Sequence, residues 1–286
     1  MLYVNCKENQ APVHDRYRKY NNRYVTSFFD DKNSILIIPE TAVNNEIFNI
    51  YKAKKIIWWL SVDFFLYKCK KMNSKEEELL SKMKKSEIIH FAQSQYAIDY
   101  LKNAEIDEGK MYYLSDYLND EFIKYSSALR KKDFRKPYIL FNPKKGYGFT
   151  SKIIAHAPEL NWLPLMNYTP EEMRKVMNMS MVYIDFGMHP GKDRIPREAA
   201  ICGCCIIVGT SGSARGPIDV PIPEEFKFEK KEKNIELVVS KIKHLLDYYE
   251  DEIDKFQKYR NIILNEEEQF DIDLHYCMEH IGESII

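Results

Sequence analysis

Twice along the chain, short runs of β-branched and aromatic residues are separated by longer polar stretches, and this alternation limits the fold more than any other feature. The first series is SILII (34–38), KIIWWL (55–60), residues 88–91 and 110–114. The second is PYILF (137–141), NWLPL (161–165), MVYID (181–185) and CCIIV (204–208). A short run at 2–4 precedes both. Such continuous apolar runs suit strands buried on both faces, and helices between them supply the crossovers of a parallel sheet. Helices are expected over 41–51, 74–85, 94–102, 150–157 and 196–202, the last closed by Gly203. Thr169 can cap another, with Pro170 in its first turn, Glu172 reaching back, and Met173, Val176 and Met177 on its buried face. The charged stretch SSALRKKDFRK (126–136) has no strong period and reads as a linker. From 234 onward the pattern is helical, with Ile235, Val238, Val239, Ile242, Leu245, Leu246 and Tyr249 on one face. The reading is an α/β domain over 1–127, a second over 128–258, and a helical tail over 259–286 that packs back toward the first.

With 286 residues the chain can bury two cores. Its 42 basic and 43 acidic residues leave a net charge of −1, which disfavours a nucleic-acid partner, since phosphate contacts call for a basic surplus. Cys202, Cys204 and Cys205 are too close together for a zinc knuckle, have no second ligand pair, and read as small apolar filler. Residues 1–6 show no signal peptide, and the longest apolar runs, 56–60 and 204–208, fall far short of a membrane span. A cytoplasmic protein with at most peripheral membrane contact is expected.

Ligands of open α/β sheets sit beyond the carboxyl ends of the strands. Three loops at such ends carry suitable chemistry. After 181–185 come His189, Gly191, Lys192, Asp193 and Arg194, then a helix start, whose free N–H groups favour a phosphate. Glu198, in the first turn, can accept from sugar hydroxyls. After 137–141 come Asn142-Pro-Lys144-Lys145-Gly146, and after 204–208 the small residues 210–214. Each loop alone is an ordinary turn. Three on consecutive strand ends favour one anion pocket.

This order resembles the donor domain of GT-B glycosyltransferases, in particular the group 1 type, through His189-Pro190, Ile195-Pro-Arg-Glu198-Ala-Ala and Gly203-Cys-Cys-Ile-Ile-Val208. It also resembles a bacterial set that carries HPGKDRIPREA. The resemblance implies two Rossmann-like parallel-sheet domains facing a cleft, with the acceptor on the N-terminal side. It implies that Glu198 holds the donor ribose, that Lys144 and Lys145 with Lys192 or Arg194 hold the diphosphate, and that Met166 and Asn167 hold the base. Where retaining members have an acid before Gly-Phe-Gly, this chain has Pro190-Gly-Lys-Asp-Arg. The implied activity moves a hexose or pentose from a nucleotide-diphosphate sugar to a hydroxyl of a glycan, polysaccharide or lipid-linked acceptor. The nucleotide sugar is then a substrate, with no cofactor and no metal expected. The one Asp-x-Asp, Asp271-Ile-Asp273, lies in the tail, which argues against a metal-dependent GT-A enzyme. Asp63 leads as general base, Glu40 is second, and His189 would orient the donor sugar. A nucleotide-sugar epimerase of the same fold and a non-catalytic sugar- or nucleotide-binding module are the alternatives.

Overall fold

The computed structural model describes residue 13 and residues 15–18, 20–21, 23–25, 28–71, 76–126 and 135–283. The strand expected at 2–4 and most of the linker, 127–134, lie outside them.

After a short helix, α1 (Asp15–Arg18), comes the first sheet, built from β1 (Ile35–Pro39), β2 (Lys54–Trp59), β3 (Ile89–Ala92) and β4 (Met111–Tyr113). It is wholly parallel, in the order β1-β2-β3-β4. Its crossovers carry α2 (Val62–Lys71), α3 (Glu76–Lys84) and α4 (Gln95–Asn103), and α5 (Asp120–Ser126) follows β4. The helix expected at 41–51 is instead two 3-10 turns, Glu40–Ala42 and Asn45–Asn49. The cause is local: Val43 is extended, and the Asn44 side chain accepts from the Glu46 N–H, a bond that competes with a helix. Residues 62–71, for which the sequence pattern gives no assignment, are helical, with Val62, Phe65 and Cys69 buried.

The second sheet contains β5 (Lys136–Phe141), β6 (Asn161–Pro164), β7 (Ser180–Asp185), β8 (Cys205–Gly209) and β9 (Lys227–Phe228), again all parallel, in the order β6-β5-β7-β8-β9. Its helices are α6 (Tyr147–His156), α7 (Pro170–Met179), α8 (Arg194–Ile201) and α9 (Ile235–Asp247). The capping box at α7 forms: Thr169 Oγ1 accepts from the Glu172 N–H, and the Glu172 carboxylate accepts from the Thr169 N–H. The three clustered cysteines are buried without a disulfide. Burial pushes the Cys204 thiol up to about 12, as expected of inert packing.

The chain ends in α10 (Tyr249–Glu252), α11 (Gln257–Leu264) and α12 (Glu266–Glu283). Side chains alternate across a strand, so β2 sends Ile57 and Trp59 to one face of the first sheet and Ile56 and Trp58 to the other. The first face is covered by α2 and α4 through Val62, Phe65 and Leu101. The second, with Ile89 and Phe91, is covered by α12 through Cys277, Ile281, Phe270 and Leu274. A parallel sheet needs both faces shielded. Here the last helix of the chain shields a face built from its first third. No helix among the described residues is long and apolar enough to cross a membrane.

Candidate functional site

Because β5, β7 and β8 are neighbours, the loops at their carboxyl ends meet. Gly146 ends the first loop with φ +64, and a Cβ there would lie 2.2 Å from the Phe186 carbonyl oxygen of the second, so glycine is required. Ser213, in the third loop, donates from its N–H to the His189 oxygen at 2.8 Å and from Oγ to the Gly191 oxygen at 2.6 Å.

At the junction of the first two loops lies a cavity of about 300 Å³ lined by Lys145, Asp185, Asp193, Arg194, Ile195 and Pro196. The amino end of α8 opens onto it. Lys145 Nζ reaches both oxygens of Asp193, at 3.0 and 3.1 Å. Lys144 is exposed and has no ion-pair partner among the described residues. Arg194 Nε bonds Glu198 Oε1 at 2.8 Å; the arginine side chain is 67% exposed and the glutamate 5%. Burial pushes the Glu198 carboxyl up to about 7 against the pull of Arg194 and Arg197. One lysine, one arginine and a helix amino end therefore offer positive charge at one opening, alongside the carboxylates of Asp185 and Asp193, with Glu198 bonded to the arginine.

His189 is fully buried and set end-on between two carboxylates. Nδ1 lies 3.2 Å from Asp193 Oδ2, and Nε2 lies 3.8 Å from Asp185 Oδ1. Burial alone would push His189 down, but the Asp193 hydrogen bond and the two negative charges outweigh it and hold the ring above its ordinary value. Burial likewise opposes ionisation of Asp193, yet His189 and Lys145 keep it below the usual carboxylate range. Asp185 also accepts from Tyr183 Oη and the Gly187 N–H, so the row of charges fixes the loop. These three residues are a cluster of metal-ligand type, with one ligand atom of each within 4.8 Å of the others.

Other expected residues lie elsewhere. Met166 and Asn167, the latter with φ +61, follow β6 on the same sheet edge, one strand outward. At Gly191 the close approach is made by the first domain: a Cβ would lie 2.0 Å from the Leu60 oxygen. Lys192, its side chain 9% exposed, bonds Glu266 at 2.9 Å and Ser115 at 3.0 Å, and so faces away from the cavity. Glu40 Oε2 accepts from the Leu60 N–H at 2.8 Å, which commits the carboxylate to the turn after β2. Asp63, in the first turn of α2, accepts from Tyr96 Oη at 3.1 Å.

The carboxyl edges of the two sheets face each other. Val62 N–H donates to the Pro190 oxygen, Lys192 N–H donates to Gln93 Oε1, and the first two N–H groups of α4, Gln95 and Tyr96, donate to Asp219 at 2.8 and 2.9 Å. Beside Asp219 a pocket of about 430 Å³ opens between α4 and residues 212–219. Two parallel doubly wound sheets, apposed edge to edge with a chain end returning to the first, form a two-domain cleft architecture. The chain superposes on HepE from Anabaena, solved with UDP, with a TM-score of 0.59 at 9% identity, over 85% of this chain and 79% of that one.

The fold is GT-B.

Two further glycosyltransferase structures share it. TarM from S. aureus gives a TM-score of 0.59 at 14% identity over 88% of this chain, which spans only 55% of TarM. Sucrose-phosphate synthase from Thermosynechococcus elongatus gives 0.62 at 13%, over 87% of this chain and 74% of that one. No protein-family model and no curated protein sequence matches the chain.

Within the GT-B frame, residues to which the sequence assigns no role prove structurally central. Arg197 is fully buried and bonds Asp116 at 2.7 Å and Glu266 at 2.9 Å. With Lys192 it ties both domains and α12 into one ionic network. Asp185 carried a usable signal as the last residue of a strand. Asp116, Asp219 and Glu266 carried none, because their partners are more than sixty residues away.

Proposed function

We propose that the chain transfers a sugar from a nucleotide-diphosphate sugar to a hydroxyl of a carbohydrate or lipid-linked acceptor, without a metal ion. The observation that carries this is the convergence of Lys145, Arg194 and the amino end of α8 on one cavity, with Lys144 exposed beside Lys145 in the chain and Glu198 bonded to Arg194. HepE is solved with UDP and with UDP-glucose, and TarM with UDP and α-GlcNAc-glycerol, which agrees with a donor of this class. In this reading Lys145 shifts from Asp193 onto the diphosphate, and Lys144 and Arg194 close over it. Leaving Glu198, Arg194 frees the carboxylate to accept from the ribose hydroxyls, while Met166 and Asn167 border the base. The leaving diphosphate gains charge as the sugar–oxygen bond breaks, and fixed cations and a helix end stabilise that charge without reorganising. The acceptor hydroxyl enters by the pocket beside α4 and bonds to the anomeric carbon, and Asp63, whose partner Tyr96 lines that pocket, takes its proton.

Titration calorimetry with UDP, GDP, dTDP and CMP tests the donor site. At least one nucleotide should bind the wild type and lose about tenfold or more in affinity in Lys145→Ala, for one charge-assisted contact. Asp63→Asn should keep that affinity while sugar transfer collapses. Absence of binding by all four nucleotides, or equal binding in wild type and Lys145→Ala, would overturn the proposal.

A further inference from the structure

Helices normally turn an apolar stripe inward. Here Tyr259, Ile263, Cys277 and Ile281 turn inward, and beside them Asn261, Asn265, Gln269 and Asp273, one residue every fourth position across the junction of α11 and α12, form a polar stripe that is exposed at its first three members. Asn265 is a one-residue turn between the two helices, its N–H donating to the Ile262 oxygen and its own oxygen accepting from the Gln269 N–H. The stripe lines a cavity of about 660 Å³ between the tail helices and the end of β4, on the other side of Lys192 from the donor opening. That volume lies in the range of small-molecule sites.

The polar groups here are only partly satisfied. Gln269 Nε2 donates to Asp273 Oδ1 at 2.8 Å, but Asp273 Oδ2 is shut from solvent with no hydrogen-bond partner among the described residues. An orphaned buried carboxylate oxygen calls for an external donor. Two aromatic rings, Tyr113 and Phe270, also line it, with Lys258 and Ile262. The charges cancel: Lys192 and Arg197 are matched by Glu266 and Asp116, and Lys258 in the lining is matched by Asp273. Amides that both donate and accept, a carboxylate in want of a donor, flat rings for C–H faces and no surplus charge together match an uncharged, hydroxyl-rich ligand.

We infer that this cavity is a second carbohydrate site, holding a neutral sugar unit of the acceptor away from the reacting hydroxyl. The word acceptor rests on the transferase reading; the sugar site itself does not. Saturation-transfer NMR on the full chain with maltose, cellobiose, lactose and N,N′-diacetylchitobiose, each at millimolar concentration, tests it. At least one disaccharide should show transfer, and its affinity should fall about fivefold in both Asn265→Leu and Gln269→Leu, as for one lost hydrogen bond. Glucose 6-phosphate should not bind there, and UDP affinity should be unchanged in both variants. No transfer from any of the four, or equal transfer in wild type and both variants, overturns the inference. Disaccharide behaviour as expected with no nucleotide binding would keep this site and remove the transferase reading instead.

Discussion

Replacing Glu198 by glutamine should make the protein more stable and at the same time spoil its nucleotide site. The carboxyl is 5% exposed and burial lifts it to about 7, so the folded chain holds a proton that the unfolded chain has released. Below the unfolded value of 4.5 both states are protonated and the substitution is nearly neutral. As pH rises from there toward 7, the wild type loses stability, because ionising a buried carboxyl costs more than ionising an exposed one. The full loss is about 3 kcal/mol, since each pH unit separating the folded from the unfolded value is worth about 1.4 kcal/mol. Glutamine never ionises, and Arg194, largely exposed, returns to water with little loss. Thermal unfolding should therefore give similar midpoints for both proteins near pH 4.5 and a Tm higher by about 5–10 °C for Glu198→Gln at pH 8. Affinity for the nucleotide should fall in the same variant, and in the wild type it should weaken as pH drops below about 7. A Tm difference that does not change with pH, or a variant less stable at pH 8, would refute the argument.

Other substitutions test the frame around the site. Gly146→Ala combines φ +64 with a clash at 2.2 Å against backbone, and should cost more than about 2 kcal/mol in chemical denaturation. Gly148→Ala, two residues on and with nothing within 4 Å, should be neutral or stabilising by about 0.5 kcal/mol. Glu266→Gln removes the shared anion of Lys192 and Arg197, both buried, and should destabilise by about 3–5 kcal/mol, read as a lower denaturant midpoint.

The strands were legible in the sequence because a strand buried on both faces is a bare apolar run, and such runs are hard to mistake at 56–59 or 205–208. The capping box at Thr169 and the closing Gly203 were legible for the same local reason. Asparagine-rich 44–49 misleads because side-chain bonding to nearby backbone defeats a helix whose apolar spacing looks adequate. At the candidate site, consecutive strand ends foretold that the three loops would meet. What each lysine faces was not legible: adjacent positions 191–193 divide between the other domain, the tail and the cavity, and only distant partners such as Leu60 and Glu266 decide which.

The late cover over the first sheet bears on how the molecule is made. Ile56, Ile89 and Phe91 leave the ribosome early, but Cys277 and Ile281, which shield them, follow about 190–225 residues later, some 10–45 s at usual rates of synthesis. For that interval the nascent first half carries a bare apolar sheet face, and a chaperone able to mask it would suppress aggregation until release. Maturation of the first sheet therefore waits on α12, and a product released before residue 266 would keep that face bare while the second core, which takes nothing from α12, could close.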